Sequence, residues 1–396
     1  MLDYTIATIA GILLGIITGL LPGIHINSVI VLMLEFMQKI TPQAATAIIS
    51  MSITNQVVSF TPSILFGMPS EQNYTSTLTG HEFARKGMAL HAIRLCTIGA
   101  TAGLIIAIIT TPIIIAFLEK TTDYFTAITQ AILTIILALM VLREKTLEQK
   151  KWAAIIIILS SGTGFFLLNN SLFTNNIFIL VTGFFGLPTI ILALTEKNFM
   201  PKQKKITKKT SLKKTTKTGA LSNIAAMIGT VFPALSPNEM IFLASEFRNK
   251  TSKTKYLLLS GGVATATFFY SFIAVLFIGK ARNASAEAIK QTQNLPPEFT
   301  IITIIASITA CCIGALASEF FAKKIIEKTE KINYTTLNKA ILFFIIGLSF
   351  FTGGFFGLIA LASATSTGLL AVNADIKRST CMAFLIAPTI MLYLAL

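Results

Sequence analysis

Two short stretches of this sequence combine helix-breaking and polar residues inside long apolar segments. The stretches LPGIHIN and FPALSPN match in spacing, because Pro22 aligns with Pro233 and Asn27 aligns with Asn238. A proline ends a helix, and asparagine or serine favours the start of the next one. The free N–H groups and the positive dipole end of such a helix start bind anions. The pattern therefore predicts two half-helix N-termini that meet around a negatively charged solute.

The residues at and around the two breaks form the candidate anion-binding set. A Pro-Gly pair also makes a plain kink in a helix, a buried histidine is often structural, and a polar loop needs no ligand. Because two breaks match, the binding interpretation is favoured over a kink. The polar stretch FGMPSEQNYTST adds groups suited to oxygen-rich ligands. The predicted substrate-binding residues are Pro22, Gly23, His25, Asn27, Ser28, Gly67, Pro69, Ser70, Pro233, Ser236 and Asn238.

Composition places these residues in a membrane. Of the 396 residues, 54% are hydrophobic and 12% are charged, against about 25% charged residues in soluble domains. The net charge of +15 comes mainly from basic residues between the apolar runs. Loop lysines and arginines of this kind mark the cytoplasmic side of a membrane protein, so nucleic-acid binding is excluded as the explanation.

Apolar runs of about 20 residues cross a bilayer as helices. The predicted fold is therefore an all-α polytopic membrane protein with about ten transmembrane helices and two re-entrant, broken helix hairpins. The hairpins are expected at 4–37 and 219–247. The start of the chain lacks a basic region and a cleavage site, so it is expected to be retained. The predicted spans are 42–67, 89–118, 122–142, 152–169, 175–196, 255–279, 298–320, 338–352, 353–372 and 378–396, with a break at Gly353-Gly354.

A lysine-rich segment divides the chain into two halves. Residues 1–196 form the first predicted membrane repeat, 197–218 a basic cytoplasmic linker, and 219–396 the second repeat. If the linker is cytoplasmic, most other basic loops are cytoplasmic too only if the segment 219–247 enters and leaves the membrane on the same side. An odd number of crossings then inverts the second half. Inverted repeats with paired broken segments are typical of secondary transporters.

Two polar residues within apolar segments are candidates for ion coupling. Glu239 follows Asn238 in the second break, and intramembrane carboxylates commonly mark ion or proton pathways. The helix N-terminus also stabilises an acid there without any transport role. Asn55 lies in the triplet Thr54-Asn55-Gln56, which cannot share one helix face, so at least one of the three is expected to reach a cavity or a neighbouring helix.

The motifs at these breaks resemble the tripartite tricarboxylate transporter permease family, the TctA-type large membrane subunit. The resemblance rests on the motif G-x-LPG, here Gly19 to Gly23, and on the later stretch FGMPSEQNYTSTLTGHEFARKGMAL. This chain is similar to a short, divergent member. The matching residues of the second motif are Gly67, Pro69, Ser70, Gly80, Ala84, Gly87 and Ala89.

The resemblance implies a multi-pass cell-membrane permease for carboxylates, driven by a proton or sodium gradient. It also implies a small membrane subunit and an external solute-binding protein as partners. A flippase or carrier for an anionic lipid headgroup or sugar-phosphate fits the same helix-end chemistry, and a passive channel is a further alternative. The three histidines lack ligand-like spacing, the four cysteines have no CxxC spacing, and no HExxH or GxSxG motif occurs. The sequence therefore predicts no metal site, no resident cofactor and no enzyme activity.

Overall fold

A computed structural model describes residues 2–21, 26–37, 39–67, 74–168, 176–195, 201–204, 210–231, 237–246, 252–329 and 334–394. These residues are almost entirely helical, with no β-strand among them, which confirms the predicted all-α class. In chain order the helices are α1 (Leu2–Leu20), α2 (Ile26–Phe36), α3 (Pro42–Val58), α4 (Phe60–Phe66), α5 (Tyr74–Arg85), α6 (Ala89–Ile109), α7 (Thr111–Leu142), α8 (Leu147–Leu168), α9 (Asn176–Val181), α10 (Leu187–Thr195), α11 (Leu212–Val231), α12 (Pro237–Glu246), α13 (Lys253–Ile278), α14 (Ala284–Lys290), α15 (Phe299–Thr329), α16 (Tyr334–Asn373) and α17 (Ala383–Leu394).

Seven of the described helices are long and apolar enough to cross a membrane. They are Leu2–Leu20, Pro42–Phe66, Ala89–Ile109, Leu147–Leu168, Lys253–Ile278, Phe299–Glu327 and Asn338–Asn373. Shorter apolar helices lie at Gln130–Leu142, Phe178–Leu192 and Thr380–Met391. The protein is therefore a multi-pass membrane protein, as its composition predicts.

Two predicted span boundaries need comment. The predicted span 89–118 is confirmed at its start, but its predicted end is wrong, because α6 ends at Ile109 and a new helix begins at Thr111. Pro112 explains the early break, since a proline fits the first turn of a helix but not its interior. The predicted break at Gly353-Gly354 is confirmed as a kink within α16, where Gly354 adopts φ +57° and ψ −152°.

The chain folds into two compact units that each draw on both halves of the sequence. Unit 1 comprises Met1–Thr121 and Met200–Ile332, and unit 2 comprises Thr122–Phe199 and Asn333–Leu396. The predicted linker 197–218 separates the two repeats along the sequence and is not the boundary between the two units. Its limits stay a prediction.

Unit 1 contains α1 and α3 side by side and running in the same direction. Gly11 lies against Ala47, Gly15 against Met51, and Gly19 against Asn55. Residue numbers therefore increase in the same direction along both helices. A Cβ atom at Gly15 would lie 2.6 Å from the carbonyl oxygen of Met51, so only glycine permits this approach. Parallel helices require the chain between them to return, and α2 lies on that return. The segment 4–37 is therefore a hairpin that begins and ends at one end of unit 1, as predicted.

The second half repeats this arrangement with α11 and α13. Ser222 of α11 donates a hydrogen bond to the carbonyl oxygen of Leu259 at 3.4 Å and lies against Gly262. The first turns of α11 also adjoin the start of α13, so the two helices are parallel. The return between them carries α12. The segment 219–247 thus begins and ends at one end of unit 1, which confirms the second predicted hairpin.

The two repeats run in opposite directions within unit 1. The end of the α3–α4 span, through Phe60, Ile64 and Leu65, packs against the starts of α6 and α13 and the end of α15. Because α3 ends where its counterpart α13 begins, the second repeat is inverted relative to the first. The same order holds for α6, which starts where its counterpart α15 ends.

Unit 2 is built from the later parts of both halves. Gly164 of α8 packs against the backbone of Phe384 in α17, and Ser161 donates a hydrogen bond to the carbonyl oxygen of Ala383 at 3.3 Å. Phe184, in a π-helical turn between α9 and α10, stacks on Phe384 with ring centroids 5.3 Å apart. Large apolar side chains such as Phe351 are exposed along α16, as expected for a surface in contact with lipid.

Candidate functional site

The two half-helices begin at matching residues. Helix α2 starts at Ile26 and α12 at Pro237, so Asn27 and Asn238 are each the second residue of their helix. Asn238 is fully buried, and the Oδ1 atom of Asn27 is buried as well. The two helices therefore begin within one residue of these asparagines, which lie in the first turns and not at the predicted N-cap positions. Both lie in first turns, where backbone N–H groups are not used by the helix itself.

The hairpins turn part-way through the depth of unit 1. Gly19, one residue before the end of α1, lies beside Val58, about 12 Å before the end of the α3–α4 span at 1.5 Å per residue. In the second repeat α11 ends at Val231, nine residues after the Ser222 contact with α13. The two turns therefore come from opposite ends of unit 1 to similar depths.

Each half-helix packs against an element of the other repeat. Helix α2 contacts α14, and α12 contacts α5. Helix α14 is tied to the first repeat by a hydrogen bond of 2.8 Å between Ser285 and Ser52 of α3. On the other side, α5 follows directly on the stretch that begins FGMPS. The structure thus places α5 against α12, the half-helix that contains Asn238.

Asn55 does reach a neighbouring helix, as the sequence predicts for one residue of its triplet. Its Nδ2 atom donates a hydrogen bond of 3.0 Å to Oγ1 of Thr18 on α1. Thr54 points elsewhere, donating to the carbonyl oxygen of Ala310 on α15 at 3.3 Å. The Thr18–Asn55 pair lies within one turn of the end of α1, and therefore close along the chain to the first break.

Several predicted site residues lie outside the described residues. These are Pro22, Gly23, His25, Pro69, Ser70, Pro233 and Ser236. Ser28 lies in α2 and Glu239 in α12, but the described structure does not include their side chains. Their roles stay predictions.

A matched pair of glycines ends the equivalent spans of the two repeats. Gly67 follows α4 with φ +68°, and Gly279 follows α13 with φ +66°. Both adopt the left-handed conformation that commonly terminates helices. The sequence match between Leu65-Phe66-Gly67 and Phe277-Ile278-Gly279 is therefore a match in backbone structure. Gly67 also packs against the ring of His81, whose Nδ1–H donates a hydrogen bond of 3.0 Å to the carbonyl oxygen of Ile64.

The comparison with known families decides the identity of this fold. The family model described as "Tripartite tricarboxylate transporter TctA family" matches residues 6–383, which is nearly the whole chain. The chain belongs to the TctA family. The resemblance read from the motifs is thereby confirmed, and the family is one of transporters.

A curated relative matches the chain over nearly the whole length of both proteins. The uncharacterized protein MJ1079 of Methanocaldococcus jannaschii is 27% identical over 394 residues, covering 98% of each chain. No solved structure matches the chain.

The TctA motif after the first span has a structural explanation in the described residues. Gly80 packs against Ile64, Ala84 is fully buried, and Gly87 ends the α5 turn with φ +74°. The N–H group of Ala89, at the start of α6, donates to Oε1 of Gln203 at 3.1 Å. The side-chain amide of Gln203 also donates a hydrogen bond, from Nε2 to the carbonyl oxygen of Ala84 at 2.8 Å. This part of the motif forms a joint between α5, α6 and the segment 201–204 of the basic linker.

Sequence reasoning missed a polar centre formed by α6, α11 and α13. Tyr270 donates a hydrogen bond of 2.8 Å to Oδ1 of Asn223, and its hydroxyl lies 2.6 Å from Oγ1 of Thr110. Asn223 in turn donates to the carbonyl oxygens of Gly103 and Gly219 at 3.0 and 2.9 Å. A buried asparagine in an apolar helix was the signal that could have found this network.

Three buried hydroxyl groups of unit 1 were also missed. Thr265, Thr303 and Ser307 are fully buried, and their hydroxyls have no hydrogen-bond partner among the described residues. Thr303 and Ser307 are one turn apart on α15, on the face that carries Ala310 toward α3. Oxygen atoms without a hydrogen-bond partner in a membrane interior are chemically suited to a small cation.

Proposed function

We propose that this chain is a secondary active permease that moves an organic anion, a di- or tricarboxylate, across the cell membrane in exchange for the energy of a proton or sodium gradient. The observation that carries the proposal is the pair of half-helices that start at Asn27 and Asn238 in oppositely directed repeats. Each offers free backbone N–H groups and a positive dipole end to a carboxylate. Membership of the TctA family supports the tricarboxylate class.

The broken hairpins also support alternating access. Non-helical backbone within a membrane is tolerated where it is buried in protein or lines a wet cavity. Two such breaks that approach from opposite ends allow one solute to be reached from either face. Glu239 and Asn55 are the proposed ion-coupling residues, and protonation of Glu239 would couple the site to a proton gradient.

The orientation follows from the distribution of basic residues in unit 1. One end, here called the basic end, holds the starts of α6, α11 and α13 and the end of α15. Its lysines and arginines include Arg94, Lys202, Lys213, Lys214, Lys217, Lys253, Lys255 and Lys323. Basic residues accumulate on the cytoplasmic side, so we place this end and the linker 197–218 in the cytoplasm. A small membrane subunit and an external solute-binding protein are the proposed partners, on the basis of the family's tripartite name.

Uptake into proteoliposomes tests the proposal. The purified chain is reconstituted, alone and with any small membrane subunit and binding protein encoded beside it. Uptake of labelled citrate and succinate is then measured with a proton gradient, a sodium gradient or none. We expect saturable uptake that one of the gradients increases. Uptake no faster than in protein-free vesicles in both arms would contradict the proposal, and translocation of a labelled anionic lipid instead would assign a flippase.

A further inference from the structure

The basic end of unit 1 contains a pocket that the transport mechanism does not use. It has a volume of about 340 Å³ and lies between the first turns of α11 and the start of α13. Its lining residues are Ser211, Lys213, Lys214, Lys217, Thr218, Leu221, Lys255 and Leu259. Four of the eight are lysines, and none is acidic.

Within the described part of the chain, no acidic side chain pairs with the ammonium groups in this pocket. Among the described residues, the ion pairs at the basic end use other cations: Glu82 binds Lys86 and Lys253, and Glu319 binds Arg94 and Lys323. Lys213, Lys214, Lys217 and Lys255 form no ion pair within the described part of the chain. The pocket also includes the first turn of the 20-residue helix α11, whose dipole adds positive potential. Such a site favours an anion with several oxygen atoms, above all a phosphate group.

The surface next to the pocket is apolar and faces outward. Lys213 and Lys217 are exposed, and further along the same face of α11 Ile224 and Ile228 are exposed by 57% and 43%. These residues recur at spacings of four and seven, which places them on one helix stripe. A stripe that starts with lysines and continues with isoleucines matches the headgroup and acyl regions of a lipid in order.

We propose that this pocket binds the phosphate group of an anionic phospholipid whose acyl chains lie along Ile224 and Ile228 of α11. A free phosphate uses only the lysines, whereas a lipid also covers the exposed isoleucines. The site is distinct from the transported anion's candidate site, because it lies at the start of α11 and the second break lies beyond the end of that helix.

Native mass spectrometry of the purified full chain tests this proposal. Phosphatidylglycerol and phosphatidylcholine are titrated separately, and bound lipid is counted. We expect tighter binding of phosphatidylglycerol, and about thirtyfold weaker binding in the Lys213→Gln/Lys217→Gln variant, since each lysine near anionic lipid contributes about a fivefold factor. The matched control is Lys280→Gln/Lys290→Gln, which removes two exposed lysines from the opposite end of unit 1 and is expected to bind like the wild type.

Other occupants are separated in the same assay. Glycerol 3-phosphate that competes at the concentration of the lipid would assign a soluble phosphate site and overturn the proposal. A tetraglutamate peptide that binds through the same lysines while phosphatidylglycerol does not would assign an acidic protein segment and overturn it too. Equal loss of lipid in the two double variants would show a general charge effect, which also contradicts a built site. Thermal unfolding of each variant confirms that it is folded.

Discussion

The helix pairs α1–α3 and α11–α13 occupy equivalent places in the two repeats but are held together by different contacts. In the first pair Gly11, Gly15 and Gly19 bring two backbones into contact. In the second pair the aligned positions are Ser222, Ala226 and Thr230, which are buried but larger. There Ser222 donates a hydrogen bond to the carbonyl oxygen of Leu259, and Asn223 accepts one from Tyr270, so two hydrogen bonds cross the interface. Close backbone approach and interhelical hydrogen bonds both join helices in lipid. The first pair relies mainly on its glycines and adds the hydrogen bond from Asn55 to Thr18, whereas in the second pair the glycine at the contact is Gly262 of α13.

The comparison shows what the two repeats share and what they do not. The helix pairs that carry the hairpins differ in their contacts, whereas the Pro-to-Asn spacing of the breaks and the left-handed glycines Gly67 and Gly279 are the same. The difference indicates that the two helix pairs can be held together by different contacts. The start of the half-helix is the functional element that the two repeats share. Substitutions at the half-helix starts and at the packing contacts test whether these elements have separate roles.

Loss of either half-helix asparagine is expected to have the largest effect on transport. Asn27→Leu and Asn238→Leu each remove a polar group at the start of a half-helix. A hydrogen bond to a charged ligand contributes about 1.5–3 kcal/mol, so uptake at low substrate should fall roughly tenfold to a hundredfold. Proteoliposome uptake measures this, with protein yield in the membrane as the control for folding. Wild-type uptake by both variants would remove the breaks from the site.

The glycine stripe of the first repeat should be intolerant of a single methyl group. Gly15→Ala places a Cβ atom against the backbone of α3 and is expected to cost about 1–3 kcal/mol of unfolding free energy. The thermal unfolding midpoint in detergent measures the change. Gly162→Ala in α8 is the matched control, because no atom lies within 4 Å of the position that the added methyl group would take. Similar midpoints for the two variants would show that close approach does not hold α1 to α3.

The polar centre of the second repeat should depend on one hydroxyl group. Tyr270→Phe leaves Oδ1 of Asn223 buried without its donor, at an expected cost of about 1–3 kcal/mol. Tyr4→Phe on α1 is the control, since its hydroxyl forms no hydrogen bond within the described residues. The same unfolding assay applies, and an unchanged midpoint for Tyr270→Phe would assign the α11–α13 contact to packing alone.

The two helix-ending glycines should differ in their tolerance of alanine. Gly279→Ala has open space but a positive φ, so we expect a loss of about 1–2 kcal/mol from backbone strain. Gly67→Ala meets the ring of His81 at 3.1 Å as well and should lose more. Unfolding midpoints of the two variants, compared with each other, test the difference. A smaller loss at Gly67 would contradict the described packing of α4 on α5.

The smallest effect is expected from pH. Burial lowers the pKa of His81 below its ordinary value of 6.5, although its bond to Ile64 opposes the shift and Arg85 adds to it. The unfolded chain then binds the proton more readily, so stability is lost as the pH falls below about 6.5. We expect the unfolding midpoint to fall between pH 7 and pH 5.5, and to fall less in His81→Gln. Glu82 does not interfere, because Lys253 and Lys86 lower its pKa below 4.5. An equal fall in both proteins would remove His81 from the pH response.

Local sequence patterns predicted the breaks, the helix starts next to Asn27 and Asn238, and the inverted repeat. These features depend on proline, glycine and capping chemistry within a few residues, or on charge between apolar runs. The packing of α2 on α14 and of α12 on α5 was not predictable, because these contacts join residues that are far apart in the sequence. The Thr110–Tyr270–Asn223 network was missed for the same reason, and buried helices such as α13 show no polar face from which a partner could be read.

The proposed transport site requires that Asn27 and Asn238 contact the same solute. Substrate protection of single cysteines tests this directly. In a background with Cys96, Cys311, Cys312 and Cys381 replaced, Asn27→Cys and Asn238→Cys are alkylated with a maleimide in the presence of increasing citrate or succinate, with Lys280→Cys as the exposed control. We predict that alkylation at 27 and 238 slows several-fold over one shared concentration range, while the control is unaffected. Protection at only one position, or at neither, would contradict a single site built from both half-helices.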